Sequence, residues 1–264
     1  MIAIKKIYLV MRKDWLEIRK SAQTSLSLVL VPLIFGIIIP IVLFLLFPNG
    51  IELFANFFSI LPFQPQLPPN IDEAQRGIVF LVALLNLFFL ILPLMLPASI
   101  AIDSIAGEKE RKTLESLLLT PMTDLEILLG KILMPIFPAT IIMLVTAVPY
   151  ILIVDFFTFP KIGDLLLPDL SFLMMIFLLA PAISFFNIVI MVIISAKIGN
   201  TRDAQYVAGF IFLPVMGFLI GQILFALFSP FLILIGTFIF LIIDYAVLRV
   251  ALRLFDRENL VVSL

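Results

Sequence analysis

The sequence predicts an all-α integral membrane protein: six transmembrane helices, an N-terminal amphipathic helix at the membrane interface, and a short amphipathic helix in a cytoplasmic loop between spans two and three. Three observations predict it. Of the 264 residues, 63% are hydrophobic and 13% charged, whereas a soluble domain is about 45–50% apolar. The apolar residues fall into runs of about 20, the length that crosses ~30 Å of hydrocarbon, and the chain has room for about six such runs. Lys and Arg collect in alternate polar segments, fifteen in the N-terminal stretch, the central loop, the 196–203 turn and the tail, against only Arg76 and Lys161 elsewhere. That asymmetry puts both termini and the central loop in the cytoplasm of a multi-pass protein of the cell membrane.

The chain divides into an amphipathic stretch (1–25), spans one and two with an external loop at 48–77 (26–102), a cytoplasmic loop (103–131), spans three to six (132–252) and a cytoplasmic tail (253–264). In the first stretch Ile4, Ile7, Tyr8, Met11, Trp15 and Ile18 share one helical face, and Lys5, Lys6, Arg12, Lys13, Arg19 and Lys20 another. A helix of that kind lies in the headgroup layer with its basic side toward anionic lipid. Trp15 is the only tryptophan and suits the interface, where its ring meets hydrocarbon and its N–H meets water. The run Leu26 to Phe47 is too long for a signal-peptide core and lacks a small-x-small cleavage site, so it reads as an uncleaved first span.

Pro62, Pro65, Pro68 and Pro69 exclude a long regular helix from the loop that follows. Span two, Ile78 to Ile102, carries Pro93 and Pro97, and span three, Ile132 to Val154, carries Pro135, Pro138 and Pro149. Prolines kink such helices without breaking them, because neighbouring helices satisfy the freed carbonyls. A second external loop spans 155–170, with Asp155, Asp164 and Asp169 against Lys161. Span four runs Ser171 to Ser195. Spans five (Ala204 to Phe228) and six (Phe231 to about Leu248) form a tight hairpin at Ser229 and Pro230, and Gly209, Gly217 and Gly221 on span five allow close helix approach.

The long polar interruption at 103–131 organises the rest. From Glu108 to Leu119 the pattern is helical: Leu114, Leu117 and Leu118 fall at i, i+3 and i+4, and Glu108 with Lys112 and Arg111 with Glu115 are opposite charges four apart. Pro121 stops that helix. Thr123 and Glu126 then form a T-x-x-E capping box, starting a helix that runs through Gly130 and Lys131 into span three.

At these residues the chain resembles the membrane subunits, or permeases, of ABC transporters of the type-2 exporter family. The family pattern is an acidic–basic cluster, T-L-E-x-L-L-x-T-P, and then G-K at the start of a membrane helix. Here it reads Glu108, Lys109, Glu110 and Arg111, then Thr113, Leu114, Glu115, Leu117, Leu118, Thr120 and Pro121, then Gly130 and Lys131. The glycine usual just before the threonine is Lys112 here, a departure that stiffens the start of the helix. The tail residues Phe255, Asp256, Arg257 and Glu258 are similar to the family's F-x-R-E ending. The resemblance implies that the loop is a coupling helix resting in a cleft of a separate ABC ATPase. There Leu114, Leu117 and Leu118 would be buried, with Glu108, Glu110, Arg111 and Glu115 as the polar rim. It implies as well a second permease copy or paralogue as partner. Membrane lipids are the other expected partner, and nucleic acid is not one.

With no cysteine and no histidine, the chain has no disulfides, Cys/His zinc sites, His-ligated haem or His-based triad. It has no G-x-x-x-x-G-K-[ST], since Ile132 follows Lys131, so the chain is not itself an ATP-hydrolysing enzyme and carries no cofactor; ATP and Mg belong to the partner. Polar residues within spans are candidates for function: Asn86, Asn187 and Gln222, read mainly as interhelical hydrogen bonds, and Asp244, read mainly as paired with Arg249. Two other readings stand beside the ATP-driven exporter. An ion-coupled secondary transporter requires inverted repeats with buried acids at the midplane, which neither half of the chain displays. A non-transporting membrane scaffold keeps the cytoplasmic contact and lacks a pathway.

Overall fold

The computed structural model describes residues 4–50, 72–113, 116–117, 119–198, 200–226 and 230–254. Most of the first external loop, the hairpin at Ser229, and the Phe255–Glu258 ending lie outside them, as do Leu114, Glu115 and Leu118. The described residues hold helices and no strand. Helix α1 is Ile4–Ile18, α2 is Thr24–Leu46, α3 is Gln75–Glu110, α4 is Asp124–Ile162, α5 is Leu170–Lys197, α6 is Thr201–Ala226 and α7 is Pro230–Leu254. Five of them, α2, α3, α4, α5 and α7, are long and apolar enough to cross a membrane. They coincide with predicted spans one, two, three, four and six. The predicted fifth span falls on α6, a helix of 26 residues; the side chains of Gln222 and Gly221 on it lie outside the description.

Two boundaries differ from the sequence reading. Helix α4 runs on to Ile162, so Asp155 lies within it, and the connection to α5 is only residues 163–169. Asp155 holds that connection down, its Oδ1 accepting from the N–H groups of Leu166 and Leu167 at 3.2 and 3.1 Å. Gly163, at φ 78°, ends α4 in a left-handed cap that a residue with a Cβ adopts only under strain. Helix α3 is longer at its other end than expected, passing through a turn at Leu90–Ile91 and a π-helical turn at Asp103–Gly107 before it stops at Glu110.

Two apolar cores stack along the bundle. One gathers Leu81, Leu85, Phe89, Tyr150, Phe172 and Ile183. At its centre Phe89, Tyr150 and Phe172 meet with ring centroids 4.7 to 5.7 Å apart, and the Tyr150 hydroxyl donates to Asn86 Oδ1 at 2.7 Å. The second core, nearer the central loop, joins Ile102, Ile105, Leu117, Ile127, Ile132, Ile188 and Ala204.

Between these cores the chain answers its own prolines. Pro97 has no N–H to donate to the Pro93 carbonyl four residues back. Ser184 on α5 donates its hydroxyl there instead, at 3.1 Å, and Asn187, one turn on, donates its amide to the neighbouring Leu94 carbonyl. The two side chains are buried, so each bond saves a polar group from apolar surroundings. Ser184→Ala and Asn187→Leu are each expected to cost about 1 kcal/mol. A thermal melt in detergent checks this, and the two losses are expected to be less than additive because both serve the same proline kink.

Candidate functional site

Residues 108–131 form the joint at which α1, α3, α4, α5 and α6 meet. Its first part is the run Glu108–Arg111, in which each consecutive charge grips a different element. The Lys109 ammonium donates to the Ala196 carbonyl at 2.6 Å, capping the C-terminal end of α5. Glu110 accepts from the Thr201 N–H at 2.8 Å and from its hydroxyl at 3.1 Å, capping the start of α6. A cation at a helix C-terminus and an anion at an N-terminus are the signs the helix dipole favours. Arg111 turns back to Asp103 at 3.2 Å and to Glu17 of α1 at 3.5 Å. Gly107 makes room for it: a Cβ there would press on Asp103 Oδ1 and lie 3.1 Å from the guanidinium.

Glu108 points the other way, into the protein. It is fully buried and meets Lys131 Nζ at 2.8 Å, while Lys13 of α1 reaches its other oxygen. Lys131 is also fully buried and donates to the Ser104 carbonyl; its ammonium lies 3.4 Å from Asp14 of α1. Asp14 in turn accepts from the Ser104 hydroxyl at 2.7 Å. The carboxylates of Asp14, Glu17 and Glu108 come within 4.8 Å of one another, a set that resembles a cation site. The Lys13 ammonium contacts all three and stands where a cation would.

The π-helical turn sets this register. It widens α3 by one residue at Asp103–Gly107, a device that recurs at functional sites, so that Ser104 and Glu108 both face α4. Gly130 brings α1 in: its backbone is so near α1 that a Cβ would lie 2.8 Å from Val10 Cβ. The G-K pair thus acts as one contact, the glycine admitting α1 and the lysine binding it.

This arrangement changes three sequence expectations. Glu108, expected on an exposed rim, is internal. Leu117, expected to be buried in a partner, is buried in the second core of its own chain, and Leu119 projects instead, 88% exposed. The helix expected to run unbroken from Glu108 stops at Glu110 in a Schellman turn, with Thr113 N–H on the Glu108 carbonyl at 2.9 Å and Lys112 N–H on Lys109 at 3.0 Å. Lys112 carries φ 56° there, the left-handed region that suits the glycine the resemblance leads one to expect at this position. The Glu108–Lys112 pair expected four apart is accordingly replaced by the long-range pairs of Glu108 above, and Glu115, the expected partner of Arg111, lies outside the described residues. Beyond the turn, Thr120 donates to the Leu117 carbonyl at 2.6 Å, and Thr123 with Glu126 forms the expected capping box at 3.3 and 2.9 Å. Lys6 of α1 reaches the Pro121 carbonyl at 2.7 Å and Glu126 at 3.5 Å. Lys6 and Lys13, expected to face lipid, therefore face inward and bracket the loop.

Sequence reasoning missed Asp14 and assigned Lys6 and Lys13 to lipid instead of the joint. Asp14 carried a signal: an acid at the centre of a basic amphipathic helix, on the same face as apolar Val10 and Ile18. Asn86 and Asn187 bond across to α4 and α3, as described above. Asp244 is buried, but its expected partner Arg249 donates to the Tyr245 hydroxyl and lies over that ring at 4.7 Å. Asp244 Oδ1 has no hydrogen-bond partner among the described residues.

Burial raises the Asp14 carboxyl above the ordinary carboxylate range, with Glu108 adding to the rise and Lys131, Ser104 and Lys13 opposing it. A raised folded-state value means that the group favours folding most at low pH and that this contribution fades as pH rises through that value. The penalty of Asp14→Asn relative to the native chain is therefore expected to shrink from acid toward neutral pH. Lys131→Met, which strands Glu108, is expected to cost about 3–5 kcal/mol at neutral pH. Melting curves of both variants from pH 5 to 8 check the contrast. Lys112→Gly is expected to be more stable than Lys112→Ala by roughly 1 kcal/mol, since only glycine relieves the turn.

No curated protein and no solved structure matches the chain. A family model described as ABC-2 family transporter protein matches residues 8–255, a span that takes in the joint and all the membrane-length helices. The absence of a nucleotide-binding motif accords with a family of membrane transport components that are not themselves catalysts, and membership implies an ABC ATPase subunit as partner. The chain belongs to the ABC-2 transporter family, as a multi-pass permease component of an ABC transporter.

Proposed function

We propose that the chain is the six-span permease of an exporter driven by ATP and Mg held on a separate ATPase, with both termini cytoplasmic and a second permease copy or paralogue completing the pathway. The observation that carries this reading is the joint at 108–131. A docking loop is useful only if force on it reaches the membrane helices, and here four consecutive charges bind it to α5, α6, α1 and α4. The loop offers Leu119 outward and keeps Leu117 as its internal peg. Thr113, Leu114, Glu115, Leu118, Thr120 and Pro121 are assigned to the same ATPase coupling by the motif they belong to. For the second copy, α6 presents Tyr206, Phe210 and Leu213 exposed, and among the described residues nothing stands within 4 Å of where side chains at Gly209 and Gly217 would begin.

Two kinds of variant separate docking from transmission. Leu119→Asp and Glu115→Arg are expected to leave the permease inserted but weaken co-purification of the ATPase by about 30-fold, the effect of losing a contact worth about 2 kcal/mol. Lys109→Met with Glu110→Gln is expected to keep the ATPase bound within about threefold while abolishing permease-stimulated ATP hydrolysis, because these residues grip helices and not the partner. Pull-down and ATPase assays in nanodiscs read both. Normal docking and normal stimulation in all variants would remove the loop from the mechanism.

A further inference from the structure

A groove of about 280 Å³ lies between α1 and the early turns of α4, apart from the joint and with no part in the reading above. Tyr8, Arg12 and Trp15 form one wall and Phe137, Pro138 and Ile141 the other. Its volume is below the ~300–1,000 Å³ of an enclosed small-molecule site, and it is open along its length. Such a shape takes part of a longer ligand that continues beyond it. Phe137 and Ile141 also begin a stripe of exposed apolar residues, continued at intervals of four or three by Val145, Val148, Leu152 and Phe156. That spacing is one face of a helix, and on a membrane-spanning helix it is the face toward acyl chains.

The charge at the groove is one-sided. Lys6 and Lys13 are spent on the joint, and the acids of α1, Asp14 and Glu17, are paired there too. Arg12 has no acidic partner among the described residues, and Arg19, two turns along the same stripe, lies 4.9 Å over the Trp15 ring. Arg12 thus lines an apolar slot that opens onto a lipid-facing helix and Arg19 lies over its Trp15 wall, neither with a carboxylate partner among the described residues. Guanidinium groups match phosphate in charge and geometry, and an indole at the boundary of the two zones fits a lipid–water interface.

We propose that this groove binds one anionic glycerophospholipid, its phosphate held by Arg12 and Arg19 and one acyl chain laid along Phe137 and Ile141. The bound lipid closes the slot between α1 and α4, so that the helix bracketing the loop is seated partly on lipid. The proposal rests on the membrane reading of α4 and needs neither the ATPase nor the assigned orientation, so failed ATPase docking leaves it intact.

Trp15 is the only tryptophan in the chain, which makes its fluorescence a reporter of this one groove. The full chain is placed in nanodiscs of unlabelled phosphatidylcholine doped with phosphatidylglycerol or phosphatidylcholine brominated on the acyl chains. Half-maximal quenching is expected at an about 30-fold lower mole fraction of the brominated anionic lipid, the gain expected from two basic residues near an anionic headgroup at about 1 kcal/mol each. Arg12→Gln with Arg19→Gln is expected to bring the two lipids within about twofold. Lys5→Gln with Lys20→Gln, an equal change in charge on the same helix, is expected to preserve the preference. Equal quenching in the native chain would overturn the proposal, as ordinary annular lipid. Survival of the preference without the two arginines, or its loss in the lysine control, would overturn it in favour of diffuse charge. Absence of quenching by either lipid would overturn it by showing the groove covered by protein, such as a second copy of the chain.

Discussion

An ammonium group without access to water is the constraint around which this chain is arranged. Lys131 sits about two turns inside a hydrophobic helix, and isolated there it would cost several kcal/mol. It is tolerable because Glu108, the Ser104 carbonyl and Asp14 all converge on it. Each condition for that convergence is itself a structural feature: the π-helical turn that aims Ser104 and Glu108 at α4, the glycine that admits α1, and the capping box that starts α4 seven residues earlier. Breaking one strands the others.

The second constraint is the backbone of the prolines. In hydrocarbon a freed carbonyl finds no water, so a proline in a span creates a demand that another helix has to meet. Ser184 and Asn187 meet it for α3. Their presence on α5 follows from Pro97 on α3, and polar residues that look like candidates for ligand contact in the sequence turn out to be occupied by the fold.

Much of the fold was legible because membrane helices announce themselves by length and apolarity alone; α2, α3, α4, α5 and α7 follow from composition. The capping box at Thr123 was legible too, since it depends on residues three apart. The joint was not. Its long-range ion pairs are separated by 23 to 120 positions, Glu108 with Lys131 and Lys6 with Glu126 at the extremes, and no local rule links them. Local charge spacing suggested Glu108 with Lys112; the Schellman turn at Lys112 removes the helix that pair required. Asp244 with Arg249 failed for a related reason, since an arginine at a helix end found an aromatic hydroxyl and ring one turn away.

Helix α4 has a consequence of its own. At 39 residues it is roughly 58 Å long, nearly twice the thickness of the hydrocarbon it crosses. From Lys131 to Ile162 the path is about 46 Å, so the helix is a lever with its fulcrum at the buried ammonium. A tilt of about 5° at that fulcrum sweeps the distal tip sideways by about 4 Å over this arm. The tip does not move alone, for Asp155 holds the 163–169 connection and Gln75 binds the Lys161 carbonyl at 3.1 Å. A tilt of that size about the buried ammonium would displace the far end of the helix by more than the width of a water molecule.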